Sequence, residues 1–284
     1  MLTVNPIGDP IGAEILGADL SQPIDDATFA EIEAAFAEHS VVVLRDQKVS
    51  PDHQLAFARR LGELEINAFD RFRLEGYDGV LKVSNLQEDG KPIGYADAGS
   101  FWHSDMSYTP TPPRCTMLYA IEVPHDEDGV PLGETMFASA VDAYDALPDK
   151  TKERIEDLRA IHSFSAKKRG VKKAVELSQE QIDKNPPVAH PIVRTHPATG
   201  RKAIYVTADE CIGIEDMDDD QALPFLRELS EHVVKPDFQF THEWRVGDLL
   251  MWDNCAVQHV AVRNYEWPQR RLMHRVTVGG SIPY

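Results

Sequence analysis

Residues 237–278 read DFQFTHEWRVGDLLMWDNCAVQHVAVRNYEWPQRRLMHRVTV. Four segments within them, DFQFTHEW, DLLMW, the stretch around His259 and RLMHRVTV, are short, apolar and separated by turn formers. That spacing predicts a succession of short strands. Working back toward the N-terminus, residues 190–207 predict a hairpin, PIVRTH and RKAIYV joined by the turn PATG. Residues 101–123 read as mostly extended, interrupted by Pro110, Pro112 and Pro113, and Val80–Val83 and Val41-Val42-Val43-Leu44 read as short buried strands.

Helices are expected elsewhere. Phe29, Ile32 and Phe36 share one face over 27–39. Ser50-Pro51-Asp52 is a helix start, continuing to about Leu61. Residues 140–160 predict helix with a restart at Pro148-Asp149, and Asp219 to Val233 an amphipathic one. The segments 89–99 and 163–189 read as loops, the second long, charged and carrying some helix. No internal repeat or low-complexity linker divides residues 1–284, so one domain is expected. The fold class is mixed α+β with a mainly β core, a sandwich or jelly roll decorated with helices. No glycine-rich nucleotide motif follows a strand.

Composition narrows the function. The formal net charge is −18, which repels phosphate backbones and argues against nucleic acid as a partner. No long apolar run suggests a membrane span, and the first residues do not read as a secretory signal. Three scattered cysteines, Cys115, Cys211 and Cys255, suggest buried thiols in a reducing cytoplasm.

On a strand, residues two apart share a face, so Trp102-His103-Ser104-Asp105 is expected to present an imidazole and a carboxylate side by side. One nitrogen and one oxygen ligand suit a divalent metal such as Fe(II), and a second histidine completes a facial triad with open positions. His259 is selected for it, since a strand and a polar turn, Asp253-Asn254, precede it. His190 and His196 flank the hairpin and read as structural or surface histidines. His162 is placed at a helix end, where positive charge is favoured, and His274 reads as packed. Taken alone, H-x-D more often marks a hydrogen-bonded or surface pair.

In Arg271-Leu272-Met273-His274-Arg275, an extended chain puts both arginines on one face. Two guanidinium groups on a core-like strand each require an anion, and their fork geometry matches a carboxylate. Pairing with the chain's own acidic residues would also satisfy them.

Together these residues resemble the taurine / 2,4-dichlorophenoxyacetate dioxygenase family of Fe(II)- and 2-oxoglutarate-dependent enzymes. The likeness runs through VVVLRDQ, QLAFARRLGELE, FWHSDMSY, TPPRCTMLYA, GETMFASAVDAYDALP, HPIVRTHPATGRKAIYV, WRVGDLLMWDNCAVQH and PQRRLMHRVTV. It implies a double-stranded β-helix and the cofactors Fe(II), 2-oxoglutarate and O2, with His103, Asp105 and His259 as the metal ligands. It implies Thr135 and Arg271 as contacts to 2-oxoglutarate and Arg275 as the contact to an anionic substrate. The loop before Thr135 is a few residues longer than usual for the family, and the His259–Arg271 spacing one residue longer than in the taurine enzymes. Asn67 stands where they carry a sulfonate-binding histidine and Gly99 where they carry a polar residue, which points away from taurine.

The expected reaction hydroxylates a small anionic organic substrate (a sulfonate, sulfate ester, aryloxyalkanoate or other carboxylate) and releases succinate and CO2. Trp102, Tyr108 and Phe69 are candidates for an apolar substrate wall, with Asn67 beside them, and the basic run 167–173 for part of a lid over the site. A cytoplasmic homo-oligomer, dimer or tetramer, is expected. The competing readings are a metal-dependent hydrolase or isomerase on a cupin-like barrel, which would turn over without O2 or 2-oxoglutarate, and a binding or regulatory protein that keeps the fold without chemistry, against which the intact triad and Arg271 argue.

Overall fold

Val41, Val42, Val43 and Leu44 are all buried without exposure, because the strand they form is covered on both faces. Val41 and Val43 join one core cluster and Val42 and Leu44 another, as the two-residue period of a strand requires. The neighbouring strand repeats the division, with Leu250 and Trp252 in the first cluster and Leu249 and Met251 in the second. Each such side chain contributes about 1.5–3 kcal/mol on burial.

The computed structural model describes residues 2–66, 70–96, 99–166 and 178–284. Its largest sheet runs in the order Thr3–Pro6, Ala13–Leu16, Val41–Leu44, Leu249–Asp253, Cys115–Glu122, Leu272–Val278, Tyr77–Ser84 and Arg73–Leu74. The pairs are antiparallel except Ala13–Leu16 with Val41–Leu44. Helices Asp26–His39 and Pro51–Leu61 close the second cluster with Phe29, Ile32, Phe36, Leu55, Phe57 and Leu61. The Asp25 carboxylate caps the first helix by accepting from the Thr28 amide, and Ser50 and His53 form a capping box on the second.

The first cluster is shared with a smaller antiparallel sheet, ordered Gln239–His242, Thr135–Ser139 and Val257–Ala261. Phe137 at its centre packs against Phe240 and Trp252, bringing the two sheets together. A third sheet, Val188–Pro191, Arg159–His162 and Cys211–Ile214, lies beside helix Asp219–Val233. Among the described residues no helix is long and apolar enough to cross a membrane.

The predicted mixed, mainly β architecture is present. Three local expectations are corrected. The stretch before Cys115 is turns rather than strand, and Met106 takes a positive φ of 49° that ends any extended run at Asp105. The helix expected over 140–160 divides into Ala140–Asp145 and Asp149–Ile155, with Pro148 restarting it as foreseen. His162 is not at a helix end: it lies on the strand Arg159–His162, fully buried, where an imidazolium would be penalised rather than favoured. Residues 190–207 contain the hairpin Val193–Thr195 with Lys202–Ile204, while His190 belongs to the third sheet.

Candidate metal centre

His103 and His259 meet through their backbones. The His103 amide donates to the His259 carbonyl at 3.1 Å and the His259 amide to the His103 carbonyl at 2.9 Å, a single antiparallel bridge. This bridge sets the imidazole rings 4.1 Å apart, centre to centre. The turn after His103 brings Asp105 to the same point. Its Oδ1 lies 3.6 Å from His103 Nε2 and 3.8 Å from His259 Nε2. One ligand atom from each of the three buried side chains lies within 4.8 Å of the others. The separations exceed hydrogen-bond length, so these atoms converge without bonding one another.

Each group is held ready to act as a ligand. His103 Nδ1 donates to the Phe101 carbonyl at 2.8 Å, which leaves Nε2 with its lone pair toward the centre. Burial and the neighbouring His103 hold the His259 pKa well below its ordinary value, so this imidazole stays neutral. Burial alone would raise the pKa of Asp105, but Arg275, His259 and His103 together drive it well below the usual carboxylate range. Burial also opposes a proton on His103, yet the Asp105 carboxylate beside it raises that pKa, so the cluster attracts positive charge. Two imidazole nitrogens and one ionised oxygen fit a facial Fe(II) site.

The second His–Asp–Cys cluster, His196, Asp253 and Cys255, is different. His196 Nδ1 accepts from the Ala198 and Thr199 amides, so Nε2–H donates to Asp253 at 2.8 Å and neither nitrogen has a lone pair to offer. His196 is buried and structural rather than a surface residue.

The His103 and His259 imidazoles open into a cleft. Val83, Leu118 and Ala261 form its apolar wall, and Thr135, Arg263, Tyr265, Arg271 and Arg275 its polar one. Arg271 is 3% exposed, and its Nη1 donates to the Gly133 carbonyl. Its Nε has no partner among the described residues, and its Cζ lies 5.5 Å from the Tyr265 ring centre. Burial lowers its pKa, against the pull of Tyr265. Thr135, 3% exposed, accepts the indole N–H of Trp244 at 3.1 Å. Arg275 donates from Nη2 to Asp105 Oδ1 at 2.7 Å.

The structure therefore gathers His103, His259, Thr135, Arg271 and Arg275 around one cleft, with Asp105 buried against the two histidines and paired with Arg275. Trp102 is not among the lining residues: it packs against the first core cluster. Tyr108 packs against Phe164 with tilted rings 4.9 Å apart and is not among the lining residues either. Asn67, Phe69 and the basic run 167–173 lie outside the described residues. Gly99 is in the lining, with a positive φ of 72° and only 3.0 Å between an added Cβ and His103 Cε1. Sequence reasoning missed Arg263 and Tyr265. The alternation His259, Ala261, Arg263 past the end of a strand was the available signal for the first.

With this geometry in hand, the comparisons with known proteins converge. Residues 3–277 match the model of the family described as taurine catabolism dioxygenase TauD, TfdA family. The alpha-ketoglutarate-dependent 2,4-dichlorophenoxyacetate dioxygenase of Cupriavidus pinatubonensis is 35% identical over 97% of this chain and 97% of its own. The alpha-ketoglutarate-dependent sulfate ester dioxygenase of Pseudomonas putida is 30% identical over 99% and 91%. Among solved structures, AAD-2 in complex with Mn(II) and N-oxalylglycine superposes with a TM-score of 0.83 at 32% identity, covering 100% of this chain and 99% of that one.

Proposed function

The chain belongs to the taurine catabolism dioxygenase TauD, TfdA family, and from that membership we propose that His103, Asp105 and His259 hold its Fe(II), that Thr135 and Arg271 hold 2-oxoglutarate, and that Arg275 faces an anionic substrate. Its activity is that of a 2-oxoglutarate-dependent non-haem iron dioxygenase, with Fe(II), 2-oxoglutarate and O2 as cofactors and co-substrates. The observation that carries the assignment of roles is the single cleft lined by His103 and His259, on which the buried Asp105 converges, and by the buried Arg271 guanidinium. When bound, Fe(II) supplies the chemistry that couples decarboxylation of 2-oxoglutarate to insertion of oxygen into a substrate C–H bond.

The protein's own part is positioning and electrostatics. Arg271, denied water and carrying a free Nε–H, offers a fork to the distal carboxylate of the diacid. The Thr135 hydroxyl accepts from Trp244, which leaves its own hydrogen available for an acceptor in the cleft. Val83 and Leu118 shield the reacting region from water and favour a substrate with an apolar body. Arg275 and Arg263 supply positive charge for its acidic end.

An aryloxyalkanoate, sulfate ester or sulfonate meets that description, and the named relatives act on the first two classes. The same reading makes the two sheets around the shared core a double-stranded β-helix in one domain. The test is succinate release by Fe(II)-loaded protein with 2-oxoglutarate and a panel of such anions. Succinate formed only in the presence of one class identifies the substrate. Turnover of any of them without O2 and 2-oxoglutarate would instead support the hydrolase reading.

A further inference from the structure

A chain of hydrogen bonds behind Asp105 runs in one direction only. Trp252 Nε1 donates to Asn254 Oδ1 at 3.1 Å, Asn254 Nδ2 donates to Thr116 Oγ1 at 3.2 Å, and the Thr116 hydroxyl donates to Asp105 Oδ2 at 2.7 Å. Both ends are fixed by chemistry. An indole nitrogen only donates and a carboxylate only accepts, so the Asn254 amide has one orientation and the Thr116 hydrogen one target. All four residues are buried, and Thr116 is without exposure.

The fold builds this chain from elements that also carry the ligands. Thr116 lies directly across from Trp252 on adjacent strands. Asn254 occupies the turn between the strands Leu249–Asp253 and Val257–Ala261, the second of which bears His259. The Asn254 carbonyl accepts the Ser104 hydroxyl at 3.0 Å, gripping the segment between His103 and Asp105. Asp105 is thus held from behind at Oδ2, while Oδ1 is the oxygen turned to both imidazoles.

We propose that Thr116 and Asn254 are positioning residues that fix Asp105 as a one-oxygen ligand: the Trp252–Asn254–Thr116 chain occupies Oδ2 and presents Oδ1 alone to the cation. A carboxylate that used both oxygens would take a coordination position that chelating 2-oxoglutarate or O2 requires. The inference rests on the assignment of His103, Asp105 and His259 as the metal ligands.

The experiment is a Mn(II) titration of metal-free protein, followed by magnetic resonance of the free ion, on the wild type and on His259→Ala, Thr116→Val, Thr116→Ser and Trp252→Phe. Thr116→Val keeps the shape and removes the hydroxyl, and its Mn(II) affinity falls about 10- to 100-fold. Thr116→Ser restores the hydroxyl and most of the affinity. Trp252→Phe releases the far end and gives a smaller loss. Thermal unfolding of each metal-free variant separates this effect from loss of fold, and if Thr116→Val does not fold, Thr116→Ser against Trp252→Phe decides. Equal binding by wild type and His259→Ala would remove the metal assignment and the inference with it. Wild-type binding that depends on His259 but survives Thr116→Val, or that Thr116→Ser loses as fully as Thr116→Val, would overturn the relay alone.

Discussion

Arg275 Nη2 stands 2.7 Å from Asp105 Oδ1, the same carboxylate oxygen that faces the two imidazoles. A divalent cation and this guanidinium therefore compete for one atom. Removing the arginine should act with opposite signs on the two ligands of the cleft. In Arg275→Gln, Mn(II) affinity is expected to stay level or rise, because a positive neighbour is gone. Affinity for the anionic substrate is expected to fall by about 2 kcal/mol, roughly 30-fold, the worth of a buried charge-assisted hydrogen bond. Metal titration and substrate KM measured on one preparation check this, and a parallel loss of both would contradict it.

Trp244 orients Thr135 in the way that Thr116 orients Asp105. The indole N–H enters the Thr135 hydroxyl oxygen at 3.1 Å, and the Trp244 ring also lies 5.9 Å from the Arg271 guanidinium carbon. Trp244→Phe keeps the ring and deletes the donor. The KM for 2-oxoglutarate is expected to rise about five-fold, equivalent to about 1 kcal/mol for one hydrogen bond, with the KM of the primary substrate unchanged. Steady-state succinate assays varying each substrate in turn decide it. A rise in both constants would mean a general disturbance of the cleft.

Gly133 leaves the room in which Arg271 sits. Its φ is 74°, and an added Cβ would stand 2.5 Å from Arg271 Nη1 and 2.8 Å from Tyr265 Cε1. Gly133→Ala must therefore push the guanidinium aside as well as bear about 1–2 kcal/mol of left-handed backbone strain. Gly129, in the same loop with φ 80°, has nothing within 4 Å of an added Cβ. Gly129→Ala carries the strain without the displacement. The expected result is comparable loss of thermal stability in both variants, but a large rise in 2-oxoglutarate KM, ten-fold or more, only for Gly133→Ala. Equal KM values would show that Arg271 is not placed by this contact.

How far the sequence shows the site depends on the range of each interaction. Val41–Leu44, the tail strands and the helix start at Ser50 follow from periodicity and local hydrogen bonding, and they are legible. The adjacency of His103 and Asp105 was foreseen on the wrong ground. A strand was invoked, whereas a single bridge to His259 and a turn at Met106 do the work. Thr116 with Asn254 and Trp244 with Thr135 join positions 138 and 109 residues apart. Nothing in the spacing of either pair announces it, because only the register of adjacent strands creates it. Trp102 misled for a related reason: an aromatic residue beside a ligand can as well face the core, and here it does.

His162 provides a measurable consequence of burying an imidazole that is not a ligand. Its Nδ1–H donates to Ser107 Oγ at 2.9 Å, and Ser107 in turn donates to Glu210 at 2.8 Å. Burial, reinforced by His190, pushes its pKa down to about 3. An unfolded histidine titrates near 6.5, so between about pH 6.5 and pH 3 the unfolded chain binds one more proton here than the folded one. Stability from this residue is complete above that window and is lost as pH falls through it, by up to about 1.4 kcal/mol per unit, or about 2 kcal/mol by pH 5. His162→Gln retains a polar group toward Ser107 and cannot titrate. Its stability at pH 7 is expected to drop, but its further loss between pH 7 and pH 5 should be smaller than that of the wild type by about 2 kcal/mol. Urea unfolding at the two pH values measures the difference directly. An identical acid loss in both proteins would mean that His162 is protonated, or solvated, in the folded state, and that the burial seen around it does not hold in solution.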